Sequence, residues 1–271
     1  MMALVMMVFI AHHCDRFYRR TVQLMSSTPS SSPFADAPGP VEWLAWSAVL
    51  VGVMLGLSEW MGPAVASPLA VWVTVVGVYA LLVGFLAHHQ AVSGLAGRIT
   101  LVRALITIAL LGFLWSPNAY QIFGFELGLM GLMALLLDGL DGHLARRRAE
   151  TTRAGARFDM ETDAAMILVL SVAVWLSGRA EAWVLLMGAL RYVFVASAWL
   201  WPWMGQPLPD SLRRKVICVV QVSVLLLVLP MWLPDLMATA VLLIGLALLL
   251  YSFGVDTLWL WTHRHKRGVV K

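Results

Sequence analysis

Apolar positions run along this chain in long unbroken stretches. Eight of them reach spanning length, at about 42–60, 67–88, 101–117, 122–145, 156–177, 182–203, 215–233 and 236–261. A helix needs about 20 mostly apolar residues to cross the hydrocarbon core of a bilayer. The pattern therefore predicts an all-α, polytopic membrane helical bundle. Hydrophobic residues make up 61% of the 271 positions and charged residues 13%, against about a quarter charged in a soluble domain. That much apolar surface needs lipid as its solvent.

The breaks between the runs are informative. Residues 26–40 (SSTPSSSPFADAPGP) are Ser/Pro-rich and read as a linker. Ser67-Pro68 is a helix start, and Pro117, Pro202 and Pro230 mark turns at or near span ends. The opening MMALVMMVFI is apolar but too short to span. It lacks a basic n-region, and Asp15, Arg16, Arg19 and Arg20 follow soon after with no prompt small-residue cleavage site, so an interfacial segment or an over-long start is expected rather than a signal peptide. Gly52 and Gly56 form a small-xxx-small pair within the first span. The organisation expected is an N-terminal segment and linker at 1–41, an accessory transmembrane hairpin at 42–93, and a six-span core at 94–271 with a basic tail.

Net charge is +4, and its placement matters more than its size. Basic residues cluster at 16–20, 98–103, 146–157, 213–215 and 264–271. Eight spans put all of these clusters on one side, and a six-span alternative gives the same sidedness. Arg179 is the exception. The positive-inside rule makes that side cytoplasmic, with both termini there, in the inner membrane. The tail HRHKRGVVK reads as a patch for an anionic leaflet rather than a nucleic-acid site. The two cysteines, Cys14 and Cys218, fit neither a disulfide framework nor a metal spacing.

The chemistry gathers at the end of the fourth run, in LLLDGLDGHLARRRAETTRAGARFDMETDAAMILVL. Asp138 and Asp141 are spaced i,i+3 on one helix, and Asp159 and Asp163 i,i+4 on the next, so each pair shares a face. Ionised carboxylates near membrane depth are expensive and are normally paired or functional. Four turned toward one point repel unless cations neutralise them. Hard oxygen ligands suit Mg²⁺, Mn²⁺ or Ca²⁺. Gly142, Ala145 and Gly155 leave the approach open, and Arg146 supplies a planar cation apt for phosphate. Together these groups can hold a diphosphate.

The spacing D-x2-D-G-x2-A-R-x8-G-x3-D-x3-D is met at all eight fixed positions: Asp138, Asp141, Gly142, Ala145, Arg146, Gly155, Asp159 and Asp163. It is similar to the signature of the CDP-alcohol phosphatidyltransferase family, of the phosphatidylglycerophosphate and phosphatidylinositol-phosphate synthase kind. Arg98-Ile-Thr-Leu-Val-Arg103 also resembles that family's entry to its first core helix, without the asparagine often found upstream. The resemblance covers roughly 94–260 and leaves 1–93 outside. It implies a six-helix core and a two-metal centre of Mg²⁺ or Mn²⁺ on Asp138, Asp141, Asp159 and Asp163. Asp163 would also be the general base. Asp138, Gly142, Ala145, Arg146, Thr152 and Gly155 would line the nucleotide and its phosphates, with Leu101 to Ala104 bordering the donor. CDP-diacylglycerol or another CDP-alcohol would be the donor, CMP the leaving group, and a homodimer the assembly.

The acceptor is less legible. Arg191 lies near the middle of its run, where a lone arginine costs at least ~2.5 kcal/mol. It is a candidate anion site, together with Arg213, Arg214, Lys215 and Gln221, and with Arg153 and Arg157 beside the acids. Glycerol 3-phosphate, an inositol phosphate, serine or a lipid headgroup would all serve, with a lean toward an anionic acceptor. Two other classes stand beside this reading: a polytopic divalent-cation transporter, and a catalytically silent family member acting as an assembly partner. The transporter leaves the glycines, Ala145 and Arg146 without a role, and the intact motif speaks against the silent partner.

Overall fold

The computed structural model describes residues 38–89, 94–148, 153–206, 208–209 and 211–264. The expected interfacial segment, most of the linker, Cys14, and the basic tail beyond Arg264 lie outside them. Among the described residues the fold is all-α, with nine helices and no strand. These are α1 (Pro40–Met61), α2 (Pro68–His89), α3 (Gly94–Phe113), the short α4 (Pro117–Ile122), α5 (Gly124–Arg148), α6 (Arg153–Leu176), α7 (Leu185–Leu200), α8 (Leu212–Val228) and α9 (Asp235–His263).

The eight apolar runs correspond one to one with the eight longer helices. Five stretches of the described residues are long and apolar enough to cross a membrane: Pro40–Ala64, Pro68–Leu86, Leu95–Phe113, Ala182–Leu200 and Asp235–His263. The protein is thus a multi-pass membrane protein. The other three runs are helical but interrupted by charged residues. Helix α5 contains Glu126, Asp138 and Asp141, and α6 begins with Arg153, Arg157, Asp159, Glu161 and Asp163. Helix α8 has only 17 residues and opens on Arg213, Arg214 and Lys215.

The chain divides into two compact units within α6, between Met166 and Ile167. In the first unit α3 is central, packing most extensively on α5 and also on α2 and α1. Glycine lets it approach α2: a Cβ on Gly112 would lie 2.5 Å from Val75 Cγ2 and 3.4 Å from Val71 Cγ1. Apolar side chains on the outer faces of α1 and α2, such as Val41, Leu44, Leu69 and Val73, are left bare, as lipid contact requires. Pro40 and Pro68 start these two helices at the position where proline's missing N–H costs nothing. Tyr120 in α4 is fully buried and donates its hydroxyl to the Leu110 carbonyl at 2.5 Å, fixing the turn after α3.

In the second unit α9 packs on α8 and α7. Helix α6 ends in a Schellman motif: Gly178 adopts φ 78, its N–H bonds the Trp175 carbonyl, and the Arg179 N–H bonds the Val174 carbonyl. That turn aims Arg179 inward, where it donates to the carbonyls of Val228 at 3.3 Å and Leu233 at 2.6 Å and pairs with Asp235 at 2.7 Å. The one basic residue that broke the charge asymmetry is therefore a buried loop clamp.

Candidate active site

Two features of α3 prepare the site. The helix is apolar enough to be buried, yet it carries Arg103 as its tenth residue, with a side chain only 5% exposed. Four residues on, Thr107 lies on the same face; its hydroxyl approaches the Met166 sulfur at 3.5 Å, which sets that face of α3 against α6. Helix α5 brings Asp138 to the same place. Helix α6 brings Asp159 and Asp163, one turn apart as their spacing dictates.

The result is three carboxylates around one guanidinium. One terminal nitrogen of Arg103 pairs with Asp138 Oδ1 at 3.0 Å and with Asp159. The other terminal nitrogen pairs with Asp163. The acids are a quarter to two-fifths exposed, so the cluster is open on one side, while the arginine is enclosed. Three negative charges and one positive leave an excess of two negative charges. Unbalanced charge of that size in a partly dry site is relieved by a further cation or by a proton.

The donor set fits a dication of the hard class. One oxygen from each of Asp138, Asp159 and Asp163 lies within 4.8 Å of the other two, and among the described residues neither cysteine nor histidine joins them. Asp141 lies in α5, three residues after Asp138, but its side chain lies outside the described residues, as do those of Gly142, Ala145, Arg146 and Arg153; Thr152 lies outside them altogether. Gly155 is half-buried in the first turn of α6.

Leu101 and Ala104 are buried in an apolar cluster with Leu86 and Phe158. Arg157 is exposed. The remaining candidates lie in the second compact unit, Arg191 on α7 and Arg213, Arg214, Lys215 and Gln221 on α8. Arg191 is half-buried in the first turns of α7. Lys215 is exposed on α8, and Gln221 donates from Nε2 to the Gly245 carbonyl at 2.7 Å, tying α8 to α9. Arg213 bonds Asp256 at 2.5 Å and the Ser252 carbonyl at 2.6 Å, while Arg214 bonds Asp256 at 3.3 Å and the Pro209 carbonyl.

Two charged residues that the structure pairs escaped the sequence reading. Arg103 was visible as part of a basic cluster and a helix entry, but nothing in its spacing pointed it at acids more than thirty residues away. Asp256 left a clearer signal, a lone acid in an apolar run, which is the pattern of a paired intramembrane charge.

Fold and site together define a class: a polytopic all-α membrane protein in which carboxylates from two helices gather around an arginine from a third in an arrangement that could hold a cation. The family model for CDP-alcohol phosphatidyltransferase matches residues 93–251, more than half of the chain. The protein belongs to the CDP-alcohol phosphatidyltransferase family. No curated protein and no solved structure matches the chain, so membership rests on that match. The match begins where α3 is about to start and leaves α1 and α2 outside it.

Proposed function

We propose that the protein transfers a phosphatidyl group from CDP-diacylglycerol to an acceptor hydroxyl, releasing CMP, as a metal-dependent step of phospholipid biosynthesis. The observation that carries this reading is the convergence of Asp138, Asp159 and Asp163 within 4.8 Å in a member of this family. Asp141, three residues after Asp138 on the same helix, completes the proposed ligand set. Mg²⁺ or Mn²⁺ bound there would neutralise the diphosphate oxygens and the phosphate that leaves with cytidine.

The chain's own groups do the rest. Asp163 takes the proton from the acceptor hydroxyl. The hydroxyl oxygen attacks the phosphorus on the alcohol side of the diphosphate, the P–O bond to CMP breaks, and CMP carries away the bonding electron pair. Gly142, Ala145 and Gly155 leave room for the nucleotide, and Arg146 and Thr152 contact its phosphates, while Leu101 and Ala104 pack on the hairpin side of α3. Arg103 holds the acids in register from behind. In such a site positioning and charge neutralisation supply most of the rate.

The candidate acceptor residues Arg153, Arg191, Arg214 and Lys215 are all basic, which favours a small anionic acceptor such as glycerol 3-phosphate. The basic clusters put the site and both termini on the cytoplasmic face of the inner membrane, and the working form is a homodimer.

Purified protein with Mg²⁺ or Mn²⁺ and labelled CDP-diacylglycerol is expected to release CMP when the right acceptor is supplied. Glycerol 3-phosphate, an inositol phosphate, serine and lipid headgroups form the panel. No CMP from any of them, with cation flux into liposomes instead, would replace this reading with a transporter.

A further inference from the structure

The hairpin of α1 and α2 precedes the family match, and the family's chemistry gives it no task. We propose that it is a positioning element of the active site, pressing α3 and the start of α6 together so that Arg103, Asp159 and Asp163 keep their mutual geometry. This rests on the carboxylate cluster being the reaction centre.

Helix α3 has two working faces. Arg103 and Thr107 lie on one and meet α6. Arg98, Leu101 and Gly112 lie close to the opposite side of the helix, given 100° per residue, and meet the hairpin. At the level of the acids the contact reaches further. Leu86 of α2, Leu101 and Ala104 of α3, and Phe158 of α6 form one buried cluster, flanked by Trp43 and Trp46 of α1 and by Leu82 and Phe85 of α2. Phe158 directly precedes Asp159, so the hairpin backs the turn that carries the acids.

A charged fork pins the same end. Glu42 at the start of α1 accepts two hydrogen bonds from Arg98 near the start of α3, at 2.7 and 3.1 Å. The hairpin acts as one piece, because the Ser47 hydroxyl bonds the Tyr79 hydroxyl at 3.0 Å and Tyr79 in turn donates to the Trp43 carbonyl at 3.3 Å. At the other end of α3, Gly112 rests on Val71 and Val75, and Trp115 donates to Thr74 at 2.7 Å. One interface therefore has an end beside the acids and an end remote from them, which separates positioning from general support.

The test uses the full chain in lipid nanodiscs and reads kcat, the donor KM and Mn²⁺ affinity by electron paramagnetic resonance. Glu42→Gln and Trp46→Ala act beside the acids. Thr74→Val removes the remote hydrogen bond. Near-site variants are expected to lose about tenfold or more in kcat, since small misplacements of reacting groups are costly. Mn²⁺ affinity should weaken alongside, with the donor KM little changed, and the double exchange Glu42→Arg with Arg98→Glu should recover activity over either single change. Thr74→Val should keep wild-type kcat even where it lowers thermal stability.

Near-site variants that match wild type in kcat and Mn²⁺ affinity overturn the proposal. So does a Thr74→Val loss as large as theirs. A wild-type chain that binds Mn²⁺ but releases no CMP sinks the transferase reading and leaves the Mn²⁺ arm to decide the hairpin, and one that binds no Mn²⁺ overturns both. If Trp46→Ala does not fold, Glu42→Gln, on a partly exposed pair, carries the test.

Discussion

Replacing Arg103 with methionine keeps a side chain of similar length in a buried slot and removes only the charge. Three carboxylates whose oxygens lie within 4.8 Å of one another then face each other with no guanidinium between them. Breaking a fully buried ion pair by deleting one partner costs about 3–5 kcal/mol. The arginine is 5% exposed, but the acids are 29, 39 and 26% exposed, so water takes up part of the stranded charge. The expected loss is about 2 kcal/mol, or about 6 °C in apparent Tm for a chain of this size. Thermal unfolding in detergent, scanned at one rate with EDTA and then with excess Mg²⁺, reads both parts of the argument. Arg103→Met should be weakened most with EDTA, and Mg²⁺ should raise its Tm more than it raises wild type, because the variant site carries one more unbalanced negative charge. A variant as stable as wild type in EDTA, or one with no larger response to Mg²⁺, would refute the view that Arg103 is the resident counter-cation of the triad.

Three further outcomes follow from the same structure. Asp163→Asn should abolish CMP release while donor binding, measured by equilibrium dialysis, stays largely intact; affinity lost together with turnover would count against a base role. Arg179→Ala should cost about 2 kcal/mol in thermal unfolding because it strands the Val228 and Leu233 carbonyls, whereas Asp235→Asn should cost less than about 0.5 kcal/mol since that carboxylate is 92% exposed. Gly188→Ala should destabilise far more than Gly245→Ala: the new Cβ would sit 2.5 Å from the Leu168 Cα in the first case and 3.2 Å from the flexible end of Met187 in the second.

Much of the architecture is written locally. Long apolar runs need no partner to declare themselves, because the bilayer rewards them one helix at a time, and the helices appear where the runs stand. The pair of Asp159 and Asp163 was legible for the same reason: a spacing of four residues puts side chains on one helical face whatever surrounds them. Asp159 and Asp163 thus arrive together on α6, and the intact motif already named the family that the comparison found.

Other facts belong to the tertiary structure alone. No periodicity in RITLVR says that Arg103 enters the middle of the acid cluster while Arg98, five residues earlier, turns to Glu42. Nor does sequence show that Arg213 and Arg214 are held by Asp256, that Arg179 clamps two loops rather than marking a side of the membrane, or that Phe158 joins the apolar cluster of α1 and α2. Each of these depends on which helices meet and at what rotation. Charge placement and apolar length are properties of a segment, whereas the partner of a buried charge lies many residues away and is chosen by packing.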